Sequence, residues 1–260
     1  MSVHPTAIID PSATLGENNS IGPYCIIGPD VHLGDNNTLV GHVVLERHVR
    51  MGSNNFIAPF ASIGGCSQSV HDNPDDPTFV EIGDHNRFYE YCTINRGSLQ
   101  DKKVTAIGSH NHFMTGSHVA HDCIVHDHVI LVNNATLGGH VVVDSHAILG
   151  AFVAVRQFCH IGSYAFLVEA CQVIKDVLPY VVIAGSDCRL RGINKEGLRR
   201  HQFTSDQMRL LNEAFRIIYR QGLVVSDALQ ALDALIAQED GHVVKPMRTF
   251  LASSSRGIVR

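Results

Sequence analysis

The sequence predicts an all-β fold, a parallel β-helix of three-sided coils, followed by a small C-terminal α-helical subdomain. Three observations support this prediction. A large apolar residue recurs every six residues, a small residue lies four positions after each of them, and this rhythm stops near residue 178. Because a six-residue unit cannot bury its own apolar face, such units must stack, and three of them make one coil.

The large repeat positions run from Ile9 to Val173. They are Ile9, Leu15, Ile21, Ile27, Leu33, Leu39, Leu45, Met51, Ile57 and Ile63, then Ile82, Phe88 and Ile94, and finally Ile107, Phe113, Val119, Val125, Leu131, Leu137, Val143, Leu149, Val155, Ile161, Leu167 and Val173. Each unit therefore directs one large and one small side chain into a narrow interior. Glycine often follows the large residue, and we expect it to supply permissive backbone at the corners between strands.

Two breaks in the repeat predict loops at about 65–79 and 97–105, within a β-helix that spans residues 1–178. Loops on a rigid scaffold often carry functional residues. Residues 179–260 are predicted to form the helical subdomain, which would cover one open end of the coil. Its first long helix follows a capping box that begins at Thr204. A second helix is predicted to be capped by Ser226, and a third spans about residues 242–252.

Composition excludes several classes of protein. The formal charge of −5 argues against a nucleic-acid-binding protein that relies on overall basic charge. No run of 18 apolar residues and no signal peptide is visible, so we expect no integral membrane segment and a cytoplasmic location. The seven cysteines contain no CxxC pair and are expected to be reduced. Five of them occupy the small inward position and are predicted to fill the core: Cys25, Cys92, Cys123, Cys159 and Cys171.

Histidine is unusually frequent, at 17 of 260 residues, and most histidines fall on positions predicted to face outward. The segment from His118 to Asp122 is different, because Val119 faces inward and His118 and His121 flank it. A carboxylate directly after His121 could orient the imidazole as a general base. One coil later, the backbone N–H of Gly139 could stabilise an oxyanion. Two alternatives to this interpretation are a zinc site built from clustered histidines and a segment with no chemical role.

Residues 118–141, the QFCHIG stretch at 157–162 and the ending RGIVR resemble the UDP-N-acetylglucosamine acyltransferase family, which catalyses the first step of lipid A synthesis. The resemblance covers the chain from about His4 to Arg260. It implies a left-handed β-helix of hexapeptide repeats and a homotrimer with its sites between subunits. The implied reaction transfers an (R)-3-hydroxyacyl chain from acyl carrier protein to the 3-hydroxyl of UDP-N-acetylglucosamine. It implies no covalent intermediate, no metal and no cofactor.

The same resemblance assigns roles to individual residues. His121 would be the general base, Asp122 would orient it, and the N–H of Gly139 would hold the oxyanion. Further positions match substrate contacts (His118, His140 and Gln157) and contacts to the nucleotide end (Asn194, Glu196 and Arg200). The segment 175–220 carries nine basic and five acidic residues, which suits an acidic carrier protein.

Four positions depart from the family pattern. Ser69 and His71 occupy the places of an aspartate and a lysine that contact sugar and phosphate, and Arg156 replaces a histidine. Glu169 stands where a small residue admits the acyl tail, which favours a shorter or polar acyl group. The alternatives are therefore a related acyltransferase with a coenzyme A or carrier-protein donor and a changed nucleotide-sugar acceptor, a zinc lyase, or a non-catalytic scaffold.

Overall fold

The computed structural model describes all 260 residues and contains 28 strands, most of them two residues long. The first eleven are Ser2–Val3 (β1), Ile8–Ile9 (β2), Thr14–Leu15 (β3), Ser20–Ile21 (β4), Ile26–Ile27 (β5), His32–Leu33 (β6), Thr38–Leu39 (β7), Val44–Leu45 (β8), Val49–Met51 (β9), Phe56–Ile57 (β10) and Ser62–Gly65 (β11). The next nine are Phe79–Ile82 (β12), Arg87–Phe88 (β13), Thr93–Asn95 (β14), Val104–Ile107 (β15), His112–Phe113 (β16), His118–Val119 (β17), Ile124–Val125 (β18), Ile130–Leu131 (β19) and Thr136–Leu137 (β20). The last eight are Val142–Val143 (β21), Ile148–Leu149 (β22), Ala154–Val155 (β23), His160–Ile161 (β24), Phe166–Leu167 (β25), Gln172–Val173 (β26), Val181–Ala184 (β27) and Arg189–Ile193 (β28).

The strands form the three sides of a parallel β-helix. Each strand up to β23 pairs in parallel with the strand three further along the chain. The first sheet has 11 strands and begins at β1, the second has nine and begins at β2, and the third has eight and begins at β3. Leu33 pairs with Leu15 on one side and with Met51 on the other, so repeat residues stack on one another.

The predicted inward positions form the core. All large repeat residues are buried except Ile9 and Leu15, which are half-buried in the first coil. The five cysteines predicted as core fillers are each at most 1% exposed, and no disulfide is present. The prediction of the core from the six-residue repeat is therefore confirmed.

The expected reason for the glycines holds at Gly64, which has φ of +90°, but is wrong for the other glycines that follow a large repeat residue. Gly22 and Gly28 do not have positive φ; instead, a Cβ at either position would overlap a backbone carbonyl oxygen of the next coil. These glycines are needed because the coils approach closely. The left-handed corner conformation is adopted by asparagine, aspartate, histidine and aromatic residues, and seven of the 17 histidines lie there: His42, His48, His85, His110, His128, His140 and His146. This accounts for much of the histidine content.

A ladder of buried asparagines joins successive coils along one edge. Its members are Asn19, Asn37, Asn55, Asn86 and Asn111. The side-chain oxygen of each accepts the backbone N–H of the next ladder member, at 2.8–2.9 Å, and that of Asn111 accepts the N–H of Val129. Asn55 also donates to the carbonyl of Gly83 at 3.0 Å.

We expect Asn55→Ala to lower the free energy of unfolding by about 3 kcal/mol, because it leaves the N–H of Asn86 and the carbonyl of Gly83, both on the next coil, without their partners. The measurement is chemical denaturation at fixed protein concentration. Ser20→Ala, at an exposed position on β4, is the control and should change stability by less than about 0.5 kcal/mol. An Asn55→Ala variant as stable as this control would show that the ladder does not stabilise the fold.

Both predicted loops leave the β-helix at the same corner. Residues 66–78 follow β11 and residues 96–103 follow β14, and these strands are neighbours in the second sheet. The N–H of Arg96 donates to the carbonyl of Gly65 at 2.7 Å, and the side chain of Asn95 donates to the carbonyl of Cys66 at 2.7 Å. The next strand of this sheet is β17, so the two loops lie beside the corner that follows His118 and Val119.

The C-terminal part contains four α-helices, Lys195–Arg200 (α1), Ser205–Arg220 (α2), Val225–Ile236 (α3) and Lys245–Ser253 (α4), with a 3-10 helix at Gly241–Val244. The predicted capping box at Thr204 is confirmed. Two expectations need correction. The segment placed at the start of the helical subdomain forms β27 and β28, and β27 extends the first sheet. Ser226 lies inside the first turn of α3, whose N-cap is Val224.

The C-terminal helices close one end of the β-helix. The ring of Phe250 in α4 packs against His160 of β24 at 4.4 Å between centroids. The hydroxyl of Ser254 donates to Asp176 at 2.7 Å. Buried residues of the coils and of the helices form one continuous apolar cluster. None of the helices is both long and apolar enough to span a membrane.

Candidate active site

The corner with the two loops borders a cleft of about 690 Å³. Turns after β17 and β20 form its floor, and the loops form its walls. Seven residues singled out from the sequence line it: Ser69, His71, His118, His121, Gly139, His140 and Gln157. The structure thus brings together side chains that are far apart in the chain.

His121 forms a hydrogen-bonded pair with Asp122. Nδ1 of His121 lies 2.9 Å from Oδ2 of Asp122, and the imidazole is 12% exposed while the carboxylate is fully buried. The other ring nitrogen, Nε2, has no hydrogen-bond partner in the protein and is accessible from the cleft that His121 lines. Because the carboxylate accepts from Nδ1, Nε2 is free to take a proton from a bound molecule.

Loop residues 96–103 hold this carboxylate in place. Oδ2 of Asp122 accepts the backbone N–H of Ser98 at 3.0 Å and its hydroxyl at 2.6 Å. Asp122 has φ of +58°, and its N–H donates to Thr105 at 2.9 Å. Lys102 donates to the carbonyl oxygen of Asp122 at 3.3 Å. The bonds to Oδ2 and to the backbone fix the orientation of the buried carboxylate, whereas Oδ1 has no hydrogen-bond partner in this chain.

Gly139 packs directly against the His121 ring. A Cβ placed on Gly139 would lie 2.6 Å from both Cε1 and Nε2 of His121, which is closer than real Cβ contacts. No protein acceptor is bonded to the backbone N–H of Gly139. A free N–H beside a base has the arrangement needed to bind developing negative charge.

His118 and His140 complete the histidine set. Nδ1 of His118 is 2.7 Å from the hydroxyl of Thr93, and burial lowers the pKa of His118, which favours its neutral form. The rings of His121 and His140 meet edge to face at 4.9 Å between centroids. His140 stacks on Phe158 at 4.2 Å.

The buried thiol nearest the pair is not suited to nucleophilic chemistry. Cys123 is fully buried and donates to the carbonyl of Gly138 at 3.1 Å. Burial raises the pKa of Cys123 to about 12, so its thiolate is scarcely populated at neutral pH. The site is therefore built for acid–base chemistry.

A larger groove, of about 850 Å³, lies along the third sheet. Its charged residues Arg50 and Glu81 bond to each other at 3.0 Å, and it contains no imidazole–carboxylate pair within hydrogen-bonding distance. This groove is larger than the cleft, but its side chains offer no acid–base pair, so the cleft is the better candidate for the active site.

Besides the buried Asp122, five predicted residues do not line the cleft. Arg156 and Glu169 are exposed on corners of later coils. Asn194 caps α1 and donates to the carbonyl of Tyr164 at 3.0 Å. Glu196 and Arg200 are exposed on α1 and bond to each other at 3.2 Å.

Three functional residues on loop 96–103 were not predicted from the sequence: Arg96, Ser98 and Asp101. Arg96 is 2% exposed, and its guanidinium donates to the carbonyls of Pro74 at 2.8 Å and Asp76 at 3.0 Å. It therefore ties the two cleft loops together. The only sequence signal for these residues was their position in an insertion that breaks the repeat.

One cluster in the chain could offer three metal-ligating atoms. His121, Asp122 and His140 have ligand atoms within 4.8 Å of one another. Nδ1 of each histidine already bonds to a carboxylate, so the atoms left without partners are the two Nε2 atoms and the buried Oδ1 of Asp122. The absence of a metal requirement stays a prediction.

A three-sided β-helix with an imidazole–carboxylate pair and a free N–H on its flank defines the class of hexapeptide-repeat acyltransferases. The chain belongs to the UDP-N-acetylglucosamine O-acyltransferase family. Residues 176–259 match the model of UDP-N-acetylglucosamine O-acyltransferase domain 2, and residues 12–47 match that of the bacterial transferase hexapeptide.

Full-length relatives support this assignment. Acyl-[acyl-carrier-protein]–UDP-N-acetylglucosamine O-acyltransferases of Cupriavidus taiwanensis and Pseudomonas entomophila are 50% and 44% identical, with at least 99% of each chain covered. The crystal structure of the Moraxella catarrhalis UDP-N-acetylglucosamine O-acyltransferase has a TM-score of 0.97 at 40% identity over the whole of both chains. The Acinetobacter baumannii structure has a TM-score of 0.96 at 41% identity over 99% of both chains. These matches confirm the predicted left-handed β-helix.

Proposed function

We propose that this protein transfers an acyl chain from acyl carrier protein to the 3-hydroxyl of UDP-N-acetylglucosamine, with His121 as the general base. The observation that supports this most directly is the His121–Asp122 pair, whose unbonded Nε2 borders the cleft beside Gly139. Family membership and the names of its relatives favour this function over the zinc lyase and the non-catalytic scaffold.

The proposed reaction begins with proton transfer. Nε2 of His121 takes the proton of the sugar hydroxyl, and Asp122 stabilises the resulting imidazolium through Nδ1–H. The sugar oxygen attacks the thioester carbonyl, and the N–H of Gly139 donates to the oxyanion that forms. When the tetrahedral intermediate collapses, the C–S bond breaks and the thiolate recovers the proton from His121. No covalent enzyme intermediate is required.

The cleft walls form the proposed acceptor site. Ser69 and His71 on the first loop line the same cleft as Gln157 and His118, and we assign these four residues to the sugar and its phosphates. His71 stands where a lysine is expected, so one positive charge is missing from the first loop. Two cations could supply it: Arg156, which precedes Gln157 in the chain, and Lys102 on the second loop.

We propose a homotrimer in which the neighbouring subunit completes the site. Asn194, Glu196 and Arg200 lie outside the cleft of their own chain, while the resemblance assigns them to the nucleotide end. A contribution from the adjacent subunit reconciles these two facts. The exposed arginines of α1 and α2, including Arg199, Arg200, Arg209 and Arg216, are proposed to attract the acidic carrier protein.

The experiment that tests the function is a donor–acceptor panel read by mass spectrometry. Acyl carrier proteins and acyl-coenzyme A donors of several chain lengths are combined with UDP-N-acetylglucosamine and with its 3-amino analogue. We expect the 3-O-acyl product from carrier-protein donors. Transfer only from coenzyme A, or only to another acceptor, would favour the related acyltransferase instead.

We expect Glu169→Gly to shift donor selectivity toward longer acyl chains. Glu169 lies at the corner that enters β26, and His121 lies at the corner that leaves β17, so the outer face of the second sheet connects them. An acyl chain that extends along this face from His121 would meet the carboxylate, and removing it would relieve the cost of burying charge beside a methylene chain. The ratio of kcat/KM for long and short donors measures the effect. Glu169→Gln is the matched control for charge alone, and unchanged selectivity in the glycine variant would place Glu169 outside the acyl path.

A further inference from the structure

A second carboxylate–imidazole pair lies beside the first. Oδ2 of Asp101, on loop 96–103, is 2.6 Å from Nδ1 of His140. His140 is 13% exposed, and its ring is fixed from one side by stacking on Phe158 and from another by the edge of His121. Only its Nε2 remains without a partner, and His140 borders the cleft.

Asp101 is held as a carboxylate by its surroundings. Partial burial opposes its ionisation, but the hydrogen bond with His140 and the charge of Lys102, whose amine is 3.5 Å away, lower the pKa of Asp101 overall. Lys102 also donates to the carbonyl of Asp122, so it lies between the two pairs. Because an ionised carboxylate only accepts hydrogen bonds, Nδ1 of His140 must carry the hydrogen between them.

We propose that Asp101 is a positioning residue that fixes His140 with hydrogen on Nδ1, so that Nε2 accepts a hydrogen bond from an N–H or O–H of the sugar acceptor. The hydrogen bond between Nε2 and the sugar rests on the function proposed above, whereas the position of the hydrogen on the His140 ring does not. The two adjacent histidines then divide their tasks, since His121 exchanges a proton during the reaction and His140 orients the molecule that loses it.

The proposal predicts a split between binding and turnover. Removing the Asp101 carboxylate frees Nδ1, so the hydrogen can move to Nε2, which then no longer accepts from the acceptor. We expect Asp101→Ala to raise KM for UDP-N-acetylglucosamine about tenfold, the size of one lost hydrogen bond between neutral groups, with kcat changed less than about threefold. A merely structural role would affect the stability of the loop but would not give this pattern.

The test combines kinetics with nuclear magnetic resonance of the full chain labelled with 15N-histidine. Spectra are recorded at about pH 8, above the ordinary histidine pKa of about 6.5, and His140 is assigned by comparison with His140→Gln. In the unmodified protein we expect hydrogen on Nδ1 of His140, and in Asp101→Ala we expect it on Nε2. Lys103→Gln is the control on the same loop, since the side chain of Lys103 makes no hydrogen bond or ion pair.

Three results would overturn the proposal. They are hydrogen on Nε2 of His140 in the unmodified protein, a tautomer that does not respond to Asp101→Ala, and a tautomer that changes while KM does not. Asp101→Asn provides a second variant that keeps the size of the side chain, and it should raise KM less than alanine does. If the unmodified protein does not acylate UDP-N-acetylglucosamine, the proposed function fails, yet the spectra still decide whether Asp101 sets the tautomer.

Discussion

Replacing His121 with alanine should reduce kcat for acyl transfer about 1,000-fold, within the range expected for the loss of a general base, because the neighbouring His140 is proposed to orient the acceptor and not to take its proton. The ring is held by Asp122 at 2.9 Å and by no other protein hydrogen bond, so its loss should leave the β-helix intact. The measurement is the rate of product formation with saturating donor and acceptor, together with circular dichroism to confirm folding.

His126→Ala is the matched control for His121→Ala. His126 lies on the next strand's corner, is exposed, and borders the groove of the third sheet rather than the cleft. Its variant should retain full activity. If His121→Ala also transferred acyl groups at a near-normal rate, the general base would have to be another residue.

Gly139→Ala should lower kcat at least about 100-fold, a loss of the size seen when an oxyanion donor is displaced. The added methyl group would lie 2.6 Å from Cε1 and Nε2 of His121, so either the imidazole or the backbone must move. Movement of the ring breaks the bond to Asp122, and movement of the backbone shifts the N–H from the oxyanion. Steady-state kinetics measure the loss.

Gly41→Ala is a close control for this substitution. Gly41 precedes His42 at a left-handed corner, as Gly139 precedes His140, but a Cβ there would be 3.2 Å from the nearest atom, the carbonyl oxygen of Pro23. A small adjustment accommodates it, so activity should be kept. Equal activity of Gly139→Ala and Gly41→Ala would mean that neither the position of the His121 ring nor the Gly139 N–H limits the reaction.

The six-residue repeat predicted the fold because every coil obeys the same rule. Once Val119 is placed inward, the period places His118 outward and Asp122 at a corner, and both placements match the structure. The same arithmetic brings Gly139 next to His121, since they are one coil of 18 residues apart. Local sequence also sufficed for the capping box of α2, whose two hydrogen bonds both form.

Contacts made by the insertions could not be predicted in this way. Ser98 reaches Asp122 and Asp101 reaches His140 only because loop 96–103 folds back over the corner, and no periodicity determines that path. The error at Ser226 has a different cause, because the helix begins at Val225, two residues before the start that a Ser226 cap would give, despite the favourable capping residue. The close approach of coils at Gly22 is a property of tertiary packing and leaves no local signal.

The two ends of the β-helix differ in how they are protected. Helices seal the C-terminal end, whereas the inward-facing Ile9 and Leu15 of the first coil are only half-buried. Since each coil contacts only adjacent coils, we expect thermal fraying to begin at this less well buried first coil and to proceed one turn at a time. Five strands of the second sheet precede β17, so the reactive histidine stays in register while the outermost turns open and close.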